Sequence, residues 1–503
     1  MPLGWELTSL GDLGEYLNGR AFSKSEWSEE GRPIIRIQDL TGTGNSPNYY
    51  KGELEERYVV RPGDLLVSWS ATLGAFIWRG PEGCLNQHIF KVRSFVDRSF
   101  HYYLIRSILD DLYRQAHGSG MVHITKGKFE ATTVSLPPLF EQRRIVAAIE
   151  EQFALLDAGV AALERTRANL KRYRASVLKA AVEGRLTERW REEHPDTEDA
   201  KTLLERILKE RRARWEKDQL SRYAGKEQNL PKNWRTQYKE PAAIDAADLS
   251  ELPKIWTWSA IEQVADVGTG ATPLKNRADY YDGGTIPWVT SGALNSETVT
   301  QVEEHITEKA LAETNAKLFP PGSLLVAMYG EGRTRGKVSE LRINAATNQA
   351  CAALVFQGYS KLVQPYAKLF LLSNYLDIRR QSAGGVQPNL NLSIVRRTAL
   401  PLPPLAEQEE IVAEVERRLS VAEGVEAQVE AGLKRAARLR QAILKRAFEG
   451  RLVPQDPADE PAEALLERIR IERAAANGKP KRKGRARASR PSRAGGGGQA
   501  GLF

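Results

Sequence analysis

From Leu136 to Leu186 apolar residues return at steps of three, four or seven: Ile145, Ile149, Phe153, Leu156, Val160, Leu163, Leu170, Tyr173, Val177 and Ala181. Such spacing lays one apolar stripe along a helix. Pro137 and Pro138 open the stretch, and a Gly-Arg-Leu triplet at Gly184 closes it, as start and stop signals do. The pattern returns from Leu402 to Leu452 at a constant offset of 266 residues, with Ile411, Val415, Leu419, Ala422, Val429, Leu433, Leu439 and Ile443 on the stripe and Glu426 interrupting it. Each predicted helix has about 42 residues and a length of about 60 Å. One narrow stripe of that length needs a partner. The natural partner of each copy is the other, in a parallel or antiparallel coiled coil.

The blocks ahead of the two rods also resemble one another. Trp5 opens the first and Trp256 the second; each continues through a short helix-like segment to a glycine turn, Gly19 or Gly270, and then to strand signals in register at Pro33 and Pro287. Pro62 to Ser70 (PGDLLVSWS) matches Pro321 to Tyr329 (PGSLLVAMY), a Pro-Gly turn feeding a buried strand, and Asn86-Gln87 matches Asn348-Gln349. The expected fold is α+β: two globular α+β domains separated by two long helices that pair as a coiled coil. Between first rod and second block, Leu203 to Glu216 reads as a charged helix, which Leu465 to Arg473 echoes after the second rod. The frame repeats while the loops diverge, as expected of two recognition modules with different targets.

Composition narrows the function. The two cysteines, Cys84 and Cys351, lie far apart without metal-ligand spacing, and the six histidines form no HxH or HxxxH group. The N-terminus lacks a charged and an apolar signal region, and no apolar run reaches membrane-spanning length, so a cytoplasmic protein without membrane contact is expected. The net charge is +9, but the tail from Gly478 to Phe503 has eight basic residues and no acidic ones, which leaves +1 for everything else. A nearly neutral body that binds DNA does so through local basic patches or beside a partner that neutralises phosphates. The sequence carries no Walker A loop, the Gly332 to Lys337 run having the wrong spacing, and no methyltransferase-type Asn-Pro-Pro-aromatic tetrad. Asp196, Glu198 and Asp199 are too close together to come from separate strands of a nuclease site, and read as helix caps. The chain has the look of an adaptor, with a protein-only scaffold as the alternative reading.

The order block–rod–block–rod, with LPPLFEQRRIV and LPLPPLAEQEEIV after the blocks, resembles the specificity subunit of type I restriction-modification systems over almost the whole chain. The resemblance implies a target-recognition domain at 1–135, a central helical spacer at 136–220, a second target-recognition domain at 252–401 and a distal helical spacer at 402–476, while composition marks a linker at 221–251 and a basic disordered tail at 477–503. It implies a non-catalytic subunit that recognises a bipartite asymmetric site in double-stranded DNA. The paired helices of that family set the gap between half-sites and dock two methyltransferase subunits, through which restriction (translocase) subunits join. No cofactor is expected on the chain itself; the partner subunits are expected to use S-adenosylmethionine, ATP and magnesium.

Under that reading the DNA contacts lie in the Gly-rich loops. In the first domain they are Asn18, Arg20, Trp69, Ser70, Gln87, His88, His123, Lys126 and Lys128. In the second they are Thr269, Thr272, Lys275, Tyr329, Arg333, Arg335, Lys337, Gln349, Gln387, Asn389 and Asn391. Arg suits guanine edges and Asn or Gln adenine edges, while Lys and Ser more often hold phosphates. Asn86 and Asn348 recur in both blocks and are read as structural turn residues. Glu141, Gln142, Arg143, Glu407 and Gln408, at the block–rod junctions, are expected either to cap the helices or to face the methyltransferase.

Overall fold

The computed structural model describes residues 1–44, 46–116, 123–225, 230–328, 336–382 and 390–477. It divides into two compact units, residues 1–162 with 432–503, and residues 163–431.

The first unit carries the first domain. Glu6–Ser9 pairs antiparallel with Thr133–Leu136, which ties the start of the domain to its exit into the rod. One four-stranded sheet runs Gly14–Asn18, Ile89–Ser94, Leu65–Ser68, Gly74–Ile77; the other runs Tyr49–Tyr50, Arg32–Ile35, Gly83–Leu85, Val59–Val60. The Pro62-Gly63 turn works as expected: Gly63 takes a positive φ of 90°, a region open to glycine, and all four residues of Leu65–Ser68 are buried.

The second domain, in the second unit, repeats this plan. Thr257–Ala260 pairs with Ala399–Leu402, one sheet runs Asp266–Thr269, Cys351–Val355, Leu324–Ala327, Val338–Leu341, and the other runs His305–Ile306, Ile286–Val289, Ala345–Thr347, Leu318–Phe319. It adds a fifth strand, Thr298–Val299, parallel to Val338–Leu341. Gly322 repeats the positive φ, at 86°, ahead of the buried Leu324–Ala327.

The rods are helices of 44 residues, Leu139–Val182 and Leu405–Phe448, each about 66 Å long. In the first unit the N-terminal part of the central rod meets the C-terminal part of the distal rod: Ile145, Ile149 and Phe153 pack with Leu444, Ala447, Trp5 and Tyr103. The Arg440 guanidinium pairs with Asp157 and lies 4.5 Å from the Phe153 ring centre. In the second unit Val177, Leu178 and Ala181 share a core with Ile411 and Val415, and Arg174 meets Glu426 at 2.8 Å while Arg167 meets Glu430 at 3.3 Å. Numbers rise along one helix as they fall along the other, so of the two senses the stripe allows, the antiparallel one is realised. Glu426, which interrupts the stripe, is one of its ion-pair partners. Such half-exposed pairs add little stability but favour one register.

Two stripe positions are exposed. Tyr173 is 41% exposed and Leu439 46%, and off the stripe Leu155 is 71% and Val421 62% exposed. The offset of 266 relates Leu155 to Val421 and Tyr173 to Leu439. Each unit therefore exposes the same two positions, one from each rod.

The rod ends explain the Gly-Arg-Leu triplets. Gly184 has φ 72°, and a Cβ there would come within 2.9 Å of the Pro253 ring; Gly450 has φ 70° and lies against Pro2. Beyond each triplet a helix docks on a domain. Ala200–Ala224 begins with Asp199 accepting from Lys201 N at 2.8 Å. It buries Leu203 and Ile207 in the second domain's core, and Ala200 N donates to Ile255 O at 3.0 Å. Ala462–Asn477 buries Leu465, Leu466 and Ile469 against the first domain, and Ala462 N donates to Gly4 O at 2.9 Å. Within the segment expected as a linker, the helix runs on to Ala224, and Trp234 is buried in a stack with Trp215. No described helix is long and apolar enough to cross a membrane.

Candidate nucleic-acid interface

Each domain brings three sequence segments together at one end of the sheet that holds Leu65–Ser68 or Leu324–Ala327: the glycine turn, the Asn-Gln pair and the residues that leave the buried strand. The turns need glycine because a Cβ at Gly19 would land on the Asn86 carbonyl and one at Gly270 on the Thr347 carbonyl. Asn86 Oδ1 accepts from His88 N at 3.4 Å and Asn348 Oδ1 from Ala350 N at 3.0 Å, so both asparagines hold turns, as read from the sequence. Trp69 N donates to His88 O at 3.3 Å, and in the same place Met328 N donates to Ala350 O at 2.7 Å.

On this frame the first domain gathers Trp69, Ser70, Gln87, His88 and His123. Trp69 stacks on Phe90, with ring centres 5.7 Å apart and planes at 26°. His88 lies 5.4 Å and His123 4.9 Å from its ring centre. Ser70 is buried and bridges to His123, while Ile124 N donates to Trp69 O at 3.2 Å. Gln87 Nε2 is 3.4 Å from His88 Nε2. Among the described residues, Trp69 Nε1, His88 Nδ1 and Gln87 Oε1 are buried polar atoms without a hydrogen-bond partner.

The other expected contacts of the first domain are placed differently. Arg20 pairs with Glu26 and sits 4.3 Å from the Phe22 ring centre and 5.0 Å from that of Tyr50, so its guanidinium is held by its own domain. Asn18 is exposed at a strand end. Lys126 and Lys128 are exposed on the short helix Lys126–Glu130, with Lys126 3.5 Å from Glu130.

In the second domain Thr269 Oγ1 donates to Cys351 O at 2.9 Å, and Thr272 Oγ1 donates to Gln349 Oε1 at 2.5 Å. Lys275 is exposed, and Lys337 Nζ donates to Asn295 Oδ1 at 2.5 Å. Asn391 caps the helix Leu392–Arg397, its side chain accepting from Ile394 N at 2.9 Å, which gives it a structural task. Tyr329, Arg333, Arg335, Gln387 and Asn389 lie outside the described residues, as does the basic tail.

The junction residues require a correction. Glu141 and Glu407 are 1% and 0% exposed, and Gln142 and Gln408 are equally buried, so these four form no surface for a partner. Each glutamate accepts from the tryptophan that opens its domain, Trp5 Nε1 to Glu141 Oε2 at 2.9 Å and Trp256 Nε1 to Glu407 Oε2 at 2.7 Å. Each glutamine donates to a proline carbonyl of its own junction, Gln142 Nε2 to Pro137 O at 2.9 Å and Gln408 Nε2 to Pro403 O at 2.7 Å. Only Arg143 stays exposed. The sequence reading missed this indole–carboxylate joint, although its signal was present: a tryptophan opens each block and Glu-Gln follows it, twice.

The joints differ in charge compensation. Glu407 Oε1 also takes the Thr187 hydroxyl at 2.6 Å and Arg191 Nη1 at 2.5 Å. Glu141 Oε1 is buried without a partner, and burial raises the Glu141 carboxyl above its ordinary pKa, against the opposing Trp5 hydrogen bond and the nearby Arg144. Among the described residues no cluster of three His, Cys, Asp or Glu side chains could hold a metal ion.

A family profile described as the type I restriction modification DNA specificity domain matches residues 2–162 and again 253–430. The chain is 26% identical to the type I restriction enzyme EcoBI specificity subunit of Escherichia coli over 490 residues, 94% of either chain. It is 24% identical to the EcoDI specificity subunit of the same species, over 95% of this chain and 97% of the relative. A solved structure titled as the basis of complex assembly and conformational transition of the type I R-M system superposes with a TM-score of 0.55 at 20% identity, covering 90% of this chain and 99% of its own. With both halves matched by the family profile, the chain belongs to the specificity subunits of type I restriction-modification systems.

Proposed function

We propose that this subunit reads a bipartite, asymmetric site in double-stranded DNA, one half per domain, and performs no chemistry itself. The observation that carries the proposal is the duplication: two domains with the same strand order, apart from one strand added in the second, present different side chains on the same loop frame. A shared frame gives both domains one way of approaching the duplex, while divergent side chains give each its own base preference. In the first domain the aromatic and amide cluster around Trp69 supplies hydrogen-bonding edges, with Asn18, Lys126 and Lys128 exposed for phosphates. In the second, Thr272, Gln349, Lys275 and Lys337 are offered on the same frame.

The chain holds two methyltransferase subunits, and restriction subunits join through these. Support comes from the exposed rod residues, Leu155 with Leu439 in one unit and Val421 with Tyr173 in the other. Two equivalent pairs of exposed apolar positions suit two copies of one partner. Arg143, exposed beside Phe140, extends the first. Outside its tail the chain is nearly neutral, so the partner supplies much of the phosphate neutralisation. S-adenosylmethionine, ATP and magnesium belong to the partner subunits, and the complex works in the cytoplasm.

The test is a binding selection. The full chain, co-purified with its methyltransferase subunit, is offered a randomised duplex library. Enrichment of one split motif with a fixed gap is expected; enrichment of a single continuous motif, or of none, would overturn the proposal.

A further inference from the structure

The two domains serve as internal controls for one another, which separates frame from reader. Residues that recur on the shared frame, Gly19 and Gly270 or Asn86 and Asn348, build the loop and carry no information about which half-site is bound. The informative positions are those where the backbone hydrogen bonds repeat and the side chains do not. Trp69 N to His88 O and Met328 N to Ala350 O are the same link, but the first joins an indole to an imidazole and the second a buried methionine to an alanine.

The glutamines between them are alike in type and opposite in engagement. Gln349 Oε1 is occupied by the Thr272 hydroxyl. Counting from the equivalent glycines, the first domain has Ala21 where the second has Thr272, and Gln87 Oε1 is left without a partner. His88 Nδ1 and Trp69 Nε1 are left likewise. Three buried, unpartnered polar atoms on one cluster are unusual in a folded protein, where such groups are nearly always satisfied.

Building on the DNA-specificity reading, we propose that Gln87 and His88 are the base-reading residues of the first domain and that Trp69 is a positioning residue. Trp69 is anchored on Phe90 and carries the two imidazoles of His88 and His123 against its ring. On binding, the half-buried Gln87 side chain turns away from His88 and sets its carbonyl and amide on the edge of a base, a pair that fits the donor and acceptor of adenine in the major groove. The turn also frees an imidazole nitrogen of His88 for the neighbouring base. The second domain, with Met328 buried and Ala350 lacking a polar group, reads its half-site through other positions.

The experiment uses the complex of the full chain with its methyltransferase subunit and the same randomised duplex selection. Gln87→Glu exchanges an adenine-type reader for an acceptor that suits cytosine. Its expected effect is a changed base at one position of one half-site, with discrimination there shifted by about ten-fold or more. Trp69→Met with His88→Ala, which installs the second domain's pair, is expected to relax the same half-site. The other half-site and the gap serve as folding controls and stay unchanged. An unaltered preference in both variants, with the unmodified chain selecting a two-part motif, overturns this inference and leaves the underlying reading intact. Failure of the unmodified chain to select a two-part motif defeats the reading itself, and the inference with it.

Discussion

Removing Arg191 is expected to damage the second unit far more than the loss of a surface arginine would. Its Nη1 reaches Glu407 Oε1 at 2.5 Å and its Nη2 reaches Gly184 O at 2.7 Å. The Glu407 side chain is fully buried, whereas the arginine side chain is 18% exposed. In Arg191→Met the carboxylate keeps only Trp256 Nε1 and the Thr187 hydroxyl. Breaking a buried ion pair by deleting one partner costs roughly 3–5 kcal/mol, because the other charge stays behind without compensation. The partial exposure of Arg191 places the expected loss near the lower end, about 3 kcal/mol. Arg191→Met with Glu407→Gln removes the stranded charge while leaving an acceptor for Trp256, so most of that loss returns and a deficit of about 1–2 kcal/mol remains for the hydrogen bonds. Urea unfolding followed by tryptophan fluorescence, beside calorimetry to separate transitions of the two units, measures both variants. A single-variant loss under about 1 kcal/mol, or a double variant no more stable than the single, would refute the reasoning.

Further tests follow from the joints and the rods. The raised pKa of Glu141 means that its ionisation in the fold opposes stability: the penalty is absent below the ordinary carboxylate pKa and grows as pH rises from there to the raised value. Glu141→Gln should therefore stabilise the chain at pH 7 and lose that advantage near pH 4 in paired thermal melts; an equal shift at both pH values would contradict the assignment. Leu155→Asp with Leu439→Asp is expected to remove one of two bound methyltransferase subunits, and Val421→Asp with Tyr173→Asp the other, as read by the mass of the complex in solution. Full occupancy in both pairs would rule out these positions. A circular permutant starting near residue 240, with the Asn477 end of the last helix joined to Met1 by a flexible linker, should fold and co-purify with the methyltransferase subunit. The reason is that the chain's beginning is already clasped, Gly450 against Pro2 and Ala462 against Gly4. A permutant that is soluble but takes up no partner would argue against that closure.

The sequence was most legible where structure is local and periodic. The rods and their ends could be read because a stripe and a Pro-Pro or Gly-Arg-Leu signal need no knowledge of the rest of the chain. The domain frame could be read because PGDLLV and PGSLLV, or Asn86-Gln87 and Asn348-Gln349, stand in the same order in both halves. The antiparallel sense could not, since both senses satisfy one stripe. The same stripe hid the exposure of Tyr173 and Leu439, because a period marks a face of the helix without saying where its partner stops covering it. The burial of Glu141 and Glu407 was hidden for a related reason: a Glu-Gln pair at a helix start looks solvated until a tryptophan 136 or 151 residues away is seen to donate to the carboxylate. Of the DNA-contact candidates, Trp69, His88 and His123 were chosen from separate loops, and sheet order brings them into ring contact. Arg20 and Asn391 are suggested by residue type and loop position, and both are engaged by their own domain.

The central claim is most directly tested by mapping DNA methylation in a cell that expresses the modification subunit, with and without this gene. Loss of one split, asymmetric methylated motif on deletion, and its return when the gene is restored, is the predicted result. An identical set of methylated motifs with and without the gene, in a cell whose modification subunit is active with another specificity subunit, would contradict it.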